Sequence, residues 1–314
     1  MHTPTPPLTS RIARALRRSL LAGLFLAAPA TQAATLYFSN GSFRITKFDT
    51  TTGANLGTFN ATDLNNPIGM AFDSAGSLYT ASPTVGITKF TSGGVGSIFD
   101  SGGRNGLAFD SAGNLYASQN GSNTITKFST ITGVGTVFAS DGLNNPRGMA
   151  FDSAGNLFVA SQHNHTIMKF TPGGVGSVFA SGGLIGNPVE VAFDSAGNLF
   201  VANSDSIFGS ILKFTPGGVG SAFGTFYLPR SFAFDSADNL YASNLFGDVV
   251  KFTPDGVRSN FATVASSNPT ALAFDPTTLE AAPEPSRALL LGGGLMGVML
   301  RRRRRHSGPD ARAL

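Results

Sequence analysis

The sequence predicts an all-β fold, a six-bladed β-propeller in which the two ends of a repeat array share one blade. The array has a period of about 40 residues, which suits a blade of four strands. Phe-Asp recurs with this period, at Phe72, Phe109, Phe151, Phe193, Phe234 and Phe274. Lys-Phe recurs with it too, at Lys47, Lys89, Lys127, Lys169, Lys213 and Lys251. The first repeat lacks its first strand, and the last repeat has only that strand.

One complete unit illustrates the four strands of a blade. We predict its strands at 148–151, 156–160, 166–170 and 176–180, because β-branched and aromatic residues fill these segments. Gly, Pro, Asn and Asp fill the gaps as turn residues. The Gly-Gly-Val-Gly-Ser segments resemble a phosphate loop, but no Gly-Lys-Ser/Thr or helical pattern follows them, so hairpin turns are expected. Five complete blades are predicted, at about 67–100, 104–139, 146–180, 188–223 and 229–262.

The sixth blade is predicted to join the two ends of the array. Segments 36–39, 43–48 and 56–59 supply three strands, and Ala271–Phe274 supplies the missing one. Such a closing blade removes the open sheet edges that invite aggregation. The Phe residues of both recurring motifs are then expected in the core between blades.

The aspartate of each Phe-Asp motif is predicted to accept backbone N–H groups of the turn that follows it. Gly at the fourth turn position supplies a positive φ, and Asp238 replaces it in one repeat. A calcium site is not favoured, because each turn offers one carboxylate and Ca²⁺ takes six to eight oxygens.

The repeat resembles the NHL family. The matching segments are Pro146-Arg-Gly-Met-Ala-Phe-Asp152, Gly155-Asn-Leu-Phe-Val-Ala-Ser161 and Thr166-Ile-Met-Lys-Phe170, and the likeness extends over residues 35–276. It implies a propeller domain over 34–280 and a relation to gluconolactonase-like lactonases and NHL lyases. Lactonases of that type hold an axial divalent ion with carboxylates and Asn.

The N-terminus, residues 1–33, has the form of a secretory signal peptide. A basic segment with four Arg precedes an apolar run over 20–30 and the triplet Thr31-Gln32-Ala33, which predicts cleavage after Ala33. A retained membrane anchor is the alternative, although the apolar run is short for a span of about 20 residues.

The C-terminus, residues 281–305, resembles a PEP-CTERM sorting signal. Pro283-Glu284-Pro285 precedes an apolar segment over 288–300, expected to be helical, and five Arg at 301–305. The tail 306–314, expected to be disordered, is longer than the tail that such signals usually carry. The resemblance implies a Gram-negative host, an exosortase and the secretion translocon as partners, and often exopolysaccharide or biofilm. We expect a transient inner-membrane intermediate facing the periplasm, then the cell surface or exterior. An ordinary tail anchor is the alternative.

Charge and composition exclude some functions. The ends hold four Arg in 1–33, and seven Arg with two acids in 283–314. Residues 34–282 keep 11 basic and 16 acidic residues, a net charge of −5, so nucleic-acid binding is not expected. The chain has no Cys, which excludes disulfides and thiolate metal sites.

Candidate site residues come from the starts of the innermost strands, which surround the propeller axis. Asn105, Arg147, Glu190 and Arg230 are predicted there. One carboxylate beside two Arg is a poor cage for a divalent ion, but suits an anionic sugar or a peptide carboxylate. The alternative is that both Arg are ordinary surface residues next to Pro.

His163 and His165 lie in a polar loop. They would need a third ligand to hold a metal, and an exposed turn explains them equally well. No Gly-x-Ser-x-Gly elbow occurs. The sequence therefore favours an exported binding or scaffold propeller of the surface or matrix, with no cofactor and no catalytic residues. The alternative is a lactonase- or lyase-like hydrolytic propeller with an axial divalent ion.

Overall fold

The computed structural model describes residues 34–39, 44–59, 64–205, 209–264 and 270–278. The predicted signal peptide with Ala33, the predicted sorting motif Pro283-Glu284-Pro285 and the segments after it lie outside these residues. The described part contains one short 3-10 helix, Gln162–Asn164, and no helix long and apolar enough to cross a membrane.

Twenty-four strands are described. In chain order they are β1 (Thr35–Ser39), β2 (Ile45–Asp49), β3 (Asn55–Phe59), β4 (Gly69–Phe72), β5 (Leu78–Ser82), β6 (Gly86–Phe90), β7 (Gly96–Asp100), β8 (Leu107–Phe109), β9 (Leu115–Gln119), β10 (Thr124–Phe128), β11 (Gly135–Ala139), β12 (Pro146–Phe151), β13 (Leu157–Ser161), β14 (Thr166–Phe170), β15 (Gly176–Ser181), β16 (Pro188–Phe193), β17 (Leu199–Asn203), β18 (Ser210–Phe214), β19 (Gly220–Thr225), β20 (Pro229–Phe234), β21 (Leu240–Asn244), β22 (Asp248–Phe252), β23 (Arg258–Thr263) and β24 (Ala271–Phe274).

These strands form six antiparallel sheets of four, which confirms the predicted blades. Blade 1 is β4–β7, blade 2 is β8–β11, blade 3 is β12–β15, blade 4 is β16–β19 and blade 5 is β20–β23. The observed strand ends differ from the predicted ones by a residue or two. The second strand of blade 3 begins at Leu157, because Asn156 still belongs to the turn and donates its backbone N–H to Asp152 Oδ1 at 2.8 Å.

The closing blade has the strand order β24-β1-β2-β3, as predicted. In its register Leu36 lies opposite Phe274 and Ser39 opposite Ala271. Ser39 is buried, and its Oγ accepts the backbone N–H of Ala271 and donates to the Pro67 carbonyl, both at 3.0 Å. Ser39 therefore ties the closing blade to the start of blade 1.

The turn aspartates act as predicted. Asp152 Oδ1 accepts the backbone N–H groups of Ala154 and Asn156, while Gly155 and Asp238 have φ values of 78° and 58°. In five of the six repeats the aspartate also pairs with the lysine of the Lys-Phe motif, a contact that was not predicted from the sequence. The five pairs, at 3.5 to 4.0 Å, are Lys89–Asp73, Lys127–Asp110, Lys169–Asp152, Lys213–Asp194 and Lys251–Asp235.

A chain of four aromatic rings crosses each of the six blade junctions. Between blades 2 and 3 it runs Phe151–Tyr116–Phe138–Phe170, with centroids 4.9, 5.0 and 6.4 Å apart. The equivalent chains are Phe72–Tyr37–Phe59–Phe90, Phe109–Tyr79–Phe99–Phe128, Phe193–Phe158–Phe179–Phe214, Phe234–Phe200–Phe223–Phe252 and Phe274–Tyr241–Phe261–Phe48. The predicted inter-blade position of both Phe sets is confirmed. The Phe-Asp rings are only partly buried, and three of them, Phe151, Phe193 and Phe234, line a cavity formed by the innermost strands.

Candidate functional site

A cavity of about 260 Å³ opens on the propeller axis, where the innermost strands begin. It is lined by Ile68, Asn105, Gly106, Arg147, Gly148, Val189, Glu190, Arg230 and Thr270. All four site residues predicted from the sequence, Asn105, Arg147, Glu190 and Arg230, line this axial mouth together. Their role in binding stays a prediction, but the fold does bring the four residues to one cavity.

Glycines let neighbouring blades approach closely around the mouth. An added Cβ at Gly69 would overlap the Asn105 carbonyl, and one at Gly106 would overlap the Arg147 carbonyl. One at Gly148 would overlap Glu190 Oε1 and come within 2.8 Å of the Glu190 Cα. Because only Gly lacks a Cβ, this ring of close contacts fixes the backbone positions of the residues that line the mouth.

Asn105 is 3% exposed, and neither amide atom has a hydrogen-bond partner among the described protein groups. Arg230 Nε lacks a partner in the same sense. A buried amide without partners costs about 1–3 kcal/mol, so native proteins seldom retain one without a reason. Both residues line the cavity, so a rotation of these side chains toward the mouth would let a ligand there satisfy the unpaired groups.

Two guanidinium groups give the mouth its charge. Arg147 Nε donates to Gln162 Oε1 at 2.8 Å, which holds the side chain in place. Burial and the positive charge of Arg230 lower the pKa of Arg147, and the Glu190 carboxyl partly offsets this. Burial also lowers the pKa of Arg230. An arginine starts from a pKa so high that both groups stay protonated at neutral pH.

Glu190 lies between the mouth and a deeper cavity of about 310 Å³, lined in part by Met70, Leu107, Met149 and Phe232. Burial raises the pKa of Glu190 to about 8, against the opposing effects of a hydrogen bond from the Val191 N–H and the charge of Arg147. The carboxyl is therefore mostly protonated at pH 7. The mouth then carries a net charge of about +2, from the two guanidinium groups.

A row of amide side chains extends from Arg147 across the rim. Asn145 Nδ2 donates to Gln162 Oε1 at 2.6 Å, Gln162 Nε2 donates to Asn187 Oδ1 at 2.8 Å, and Asn187 Nδ2 donates to the Ser204 carbonyl at 2.9 Å. This row was not predicted from the sequence. The available signal was Asn immediately before Pro at the start of two innermost strands, at Asn145 and Asn187.

The two loop histidines belong to the same rim. His163 Nε2 lies 3.0 Å from Asn145 Nδ2, and His165 Nδ1 contacts the Gly186 carbonyl. Within the described ranges, no three His, Asp or Glu side chains come together in a way that would hold a metal ion. The geometry of this loop is that of a polar turn.

Comparison with known proteins places the fold. No protein-family model matches the sequence, and no curated protein does. A chain of the nidogen/laminin complex matches with a TM-score of 0.68 at 19% identity, covering 77% of this chain and 98% of that one. A Bacteroides caccae protein of unknown function matches at 0.59 and 14%, covering 77% and 99%. Virginiamycin B lyase from Staphylococcus aureus matches at 0.54 and 15%, covering 65% and 73%. The fold is a six-bladed β-propeller. At these identities the likeness shows the fold alone.

Proposed function

We propose that this protein is an exported binding propeller that takes a small carboxylate-bearing ligand in its axial mouth. The observation that carries the proposal is the Asn105 amide, buried in the cavity with both polar atoms unpartnered beside Arg147 and Arg230. A carboxylate would accept from the Asn105 Nδ2 and from either guanidinium, which offers paired N–H donors in the geometry that carboxylates favour.

The local charge supports an anion rather than a cation. Residues 34–282 carry a net charge of −5, yet the mouth concentrates two of their 11 basic residues. Its one carboxyl, Glu190, is mostly protonated at neutral pH. A divalent ion would meet two guanidinium groups and one neutral acid, whereas Ca²⁺ takes six to eight oxygen ligands. This arrangement therefore favours anion binding over a metal-dependent lactonase or lyase activity.

Export is proposed from the two chain ends. The signal peptide ending at Ala33 and the PEP-CTERM-like segment at Pro283-Glu284-Pro285 are sequence features outside the described residues. They support passage through the translocon, sorting by an exosortase and a place on the cell surface or in the matrix. The structural neighbours include a chain of a protein–protein complex and a lyase, so the fold itself does not choose between binding and catalysis.

Calorimetric titration of the full chain with glucuronate and with glucose tests the binding proposal. We expect glucuronate alone to bind, and Arg147→Met or Arg230→Met to weaken it by about tenfold or more, since a charge-assisted hydrogen bond contributes about 1.5–3 kcal/mol. Arg258→Met is the matched control, because Arg258 is exposed and lies over the Phe226 ring. Failure of small carboxylates to bind, or tight Ca²⁺ or Mg²⁺ binding that Glu190→Gln abolishes, would overturn the proposal.

Intact mass and cell fractionation of the native protein test the export proposal. We expect the mature chain to begin after Ala33 and to end near Pro285, and to be found at the surface or outside the cell. A full-length mass, or a chain that remains in the cytoplasm, would contradict it.

A further inference from the structure

Tyr227 and Phe246 form an exposed aromatic pair unlike the rings at the blade junctions. They are 40% and 54% exposed, and their rings stack with centroids 5.2 Å apart and planes at 24°. The other described ring pairs meet edge to face or at a steep tilt and lie between blades. A stacked pair of large rings turned to solvent buries little apolar surface, so packing within the propeller does not explain it.

The pair lies on the same face as the axial mouth. Tyr227 precedes Arg230 by three residues, in the loop that leads from β19 into β20. Phe246 lies in the turn between β21 and β22. Pro229 at the start of β20 is opposite Asn244 at the end of β21, so this turn and the mouth are at the same end of blade 5. With strands about 4.8 Å apart, the turn lies roughly 7 Å outward from β20.

The pair is held in place by its neighbours. Asn244 Oδ1 accepts the backbone N–H groups of Phe246 and Asp248, both at 2.9 Å. Phe226, next to Tyr227, is buried in the core. Leu228 has a φ of 48°, which turns the chain sharply between Tyr227 and Pro229. The rings therefore project from two fixed loops.

We propose that the Tyr227–Phe246 pair is a sugar-stacking shelf and that the ligand of this propeller is an acidic oligosaccharide. One uronate residue places its carboxylate at Arg147 and Arg230, and the adjoining sugar ring lies on the shelf. This inference rests on the proposed function and names the ligand class of the same site.

The aromatic shelf and the row of rim amides both have the chemistry that binds a sugar. The face of a pyranose ring that carries axial C–H groups packs on an aromatic ring, whose face is the electron-rich part. Sugar hydroxyls both donate and accept, as do the side-chain amides of the rim row. Gln162 and Asn187 each retain an N–H that no described bond uses. A peptide carboxylate would use the arginines equally well, but it has no general need for the shelf.

The test is calorimetric titration of the full chain with four probes: galacturonate, an oligogalacturonate trimer, a neutral sugar trimer and tri-glutamate. We expect the acidic trimer to bind five- to tenfold more tightly than the monomer, the gain that one aromatic contact of about 1–1.4 kcal/mol supplies. Tyr227→Ala and Phe246→Ala should each remove this gain and leave galacturonate affinity unchanged. Leu184→Ala is the matched control, since Leu184 is exposed in the loop that leads into blade 4.

The outcomes separate the two proposals. If galacturonate binds but the trimer binds no more tightly, or if the shelf variants keep the gain, the shelf is overturned and the anion site stands. If tri-glutamate matches the acidic trimer, the ligand class is wrong. If no small carboxylate binds, both proposals fail.

Discussion

The Glu190 carboxyl occupies the space beside Gly148 that a side chain at position 148 would need. Glu190 belongs to blade 4 and Gly148 to blade 3, so this contact crosses a blade junction at the mouth. We expect Gly148→Ala to destabilise the protein by about 1–3 kcal/mol, because the Cα of Glu190 must shift as well as its flexible carboxyl. Displacing Glu190 should also alter affinity for glucuronate. Urea unfolding and calorimetric titration measure the two effects.

Gly173→Ala is the matched control for that substitution. Gly173 lies in a hairpin turn, where an added Cβ meets nothing closer than 3.9 Å. Its stability should stay within about 0.5 kcal/mol of the unmodified protein, as for surface changes in general. Equal stabilities for the two variants would mean that the blades can separate at the mouth without cost.

The raised pKa of Glu190 predicts a loss of stability with rising pH. In the folded protein this pKa is about 8, against the ordinary value of 4.5 that a glutamate has in the unfolded chain. The folded state therefore binds a proton that the unfolded state has released between about pH 4.5 and 8, and stability falls across this window as pH rises. Glu190→Gln removes the titration. We expect the melting temperature of the unmodified protein to fall relative to that of Glu190→Gln from pH 5 to 8.

Ligand binding gives a second readout of the same titration. Ionisation of Glu190 lowers the charge of the mouth by one, so glucuronate affinity should weaken above pH 8 in the unmodified protein. Affinity of Glu190→Gln should change little from pH 6 to 9. Parallel pH profiles for the two proteins would rule out Glu190 as the titrating group.

Ser118 is predicted to position Arg147. It is fully buried, and its Oγ accepts the Gly106 N–H and donates to the Arg147 carbonyl, both at 2.8 Å, across the junction of blades 2 and 3. Ser118→Ala leaves both backbone groups unsatisfied, which should cost about 1–3 kcal/mol of stability. It should also weaken glucuronate binding, because the backbone carbonyl of Arg147 loses its hydrogen bond to blade 2. Calorimetry on the folded variant measures this.

A double variant separates positioning from general loosening. If Ser118 acts through Arg147, adding Ser118→Ala to Arg147→Met should weaken binding no further. Ser122→Ala is the control, since Ser122 is exposed near the same end of blade 2. Additive losses in the double variant would leave Ser118 with a structural role alone.

The fold was largely predictable because its signals are local or periodic. The Asp152 turn needs only neighbouring residues, and the closing blade follows from strands missing at one end and present at the other. The regular spacing of the Phe-Asp and Lys-Phe motifs was enough to predict that their Phe rings form the core between blades. Four residues at the mouth were also predictable, since Asn105, Arg147 and Arg230 occupy the same position in their repeats and Glu190 is one residue further along its own.

The rest depends on distances that no linear pattern contains. Lys169 reaches Asp152 only because the β13–β14 register places Lys169 opposite Phe158. The unpartnered state of Asn105 depends on which groups come within hydrogen-bond distance once the ring closes. The pKa of Glu190 depends on its burial between two cavities, and the Tyr227–Phe246 stack joins two loops of different strands.

The aromatic chains that cross the blade junctions are predicted to contribute more to stability than the Lys–Asp ion pairs within each blade. Phe170 is fully buried and contacts Phe138 of blade 2, and Phe170→Ala should cost about 3–5 kcal/mol in urea unfolding. Lys169, next to it, is partly exposed and lies 4.0 Å from Asp152 and 5.2 Å from the Phe158 centroid. Lys169→Met should cost less than about 1 kcal/mol, because water screens such a pair and the Met stem still covers the ring. A larger loss in Lys169→Met than in Phe170→Ala would show that the repeated Lys-Phe motif is kept for its charge.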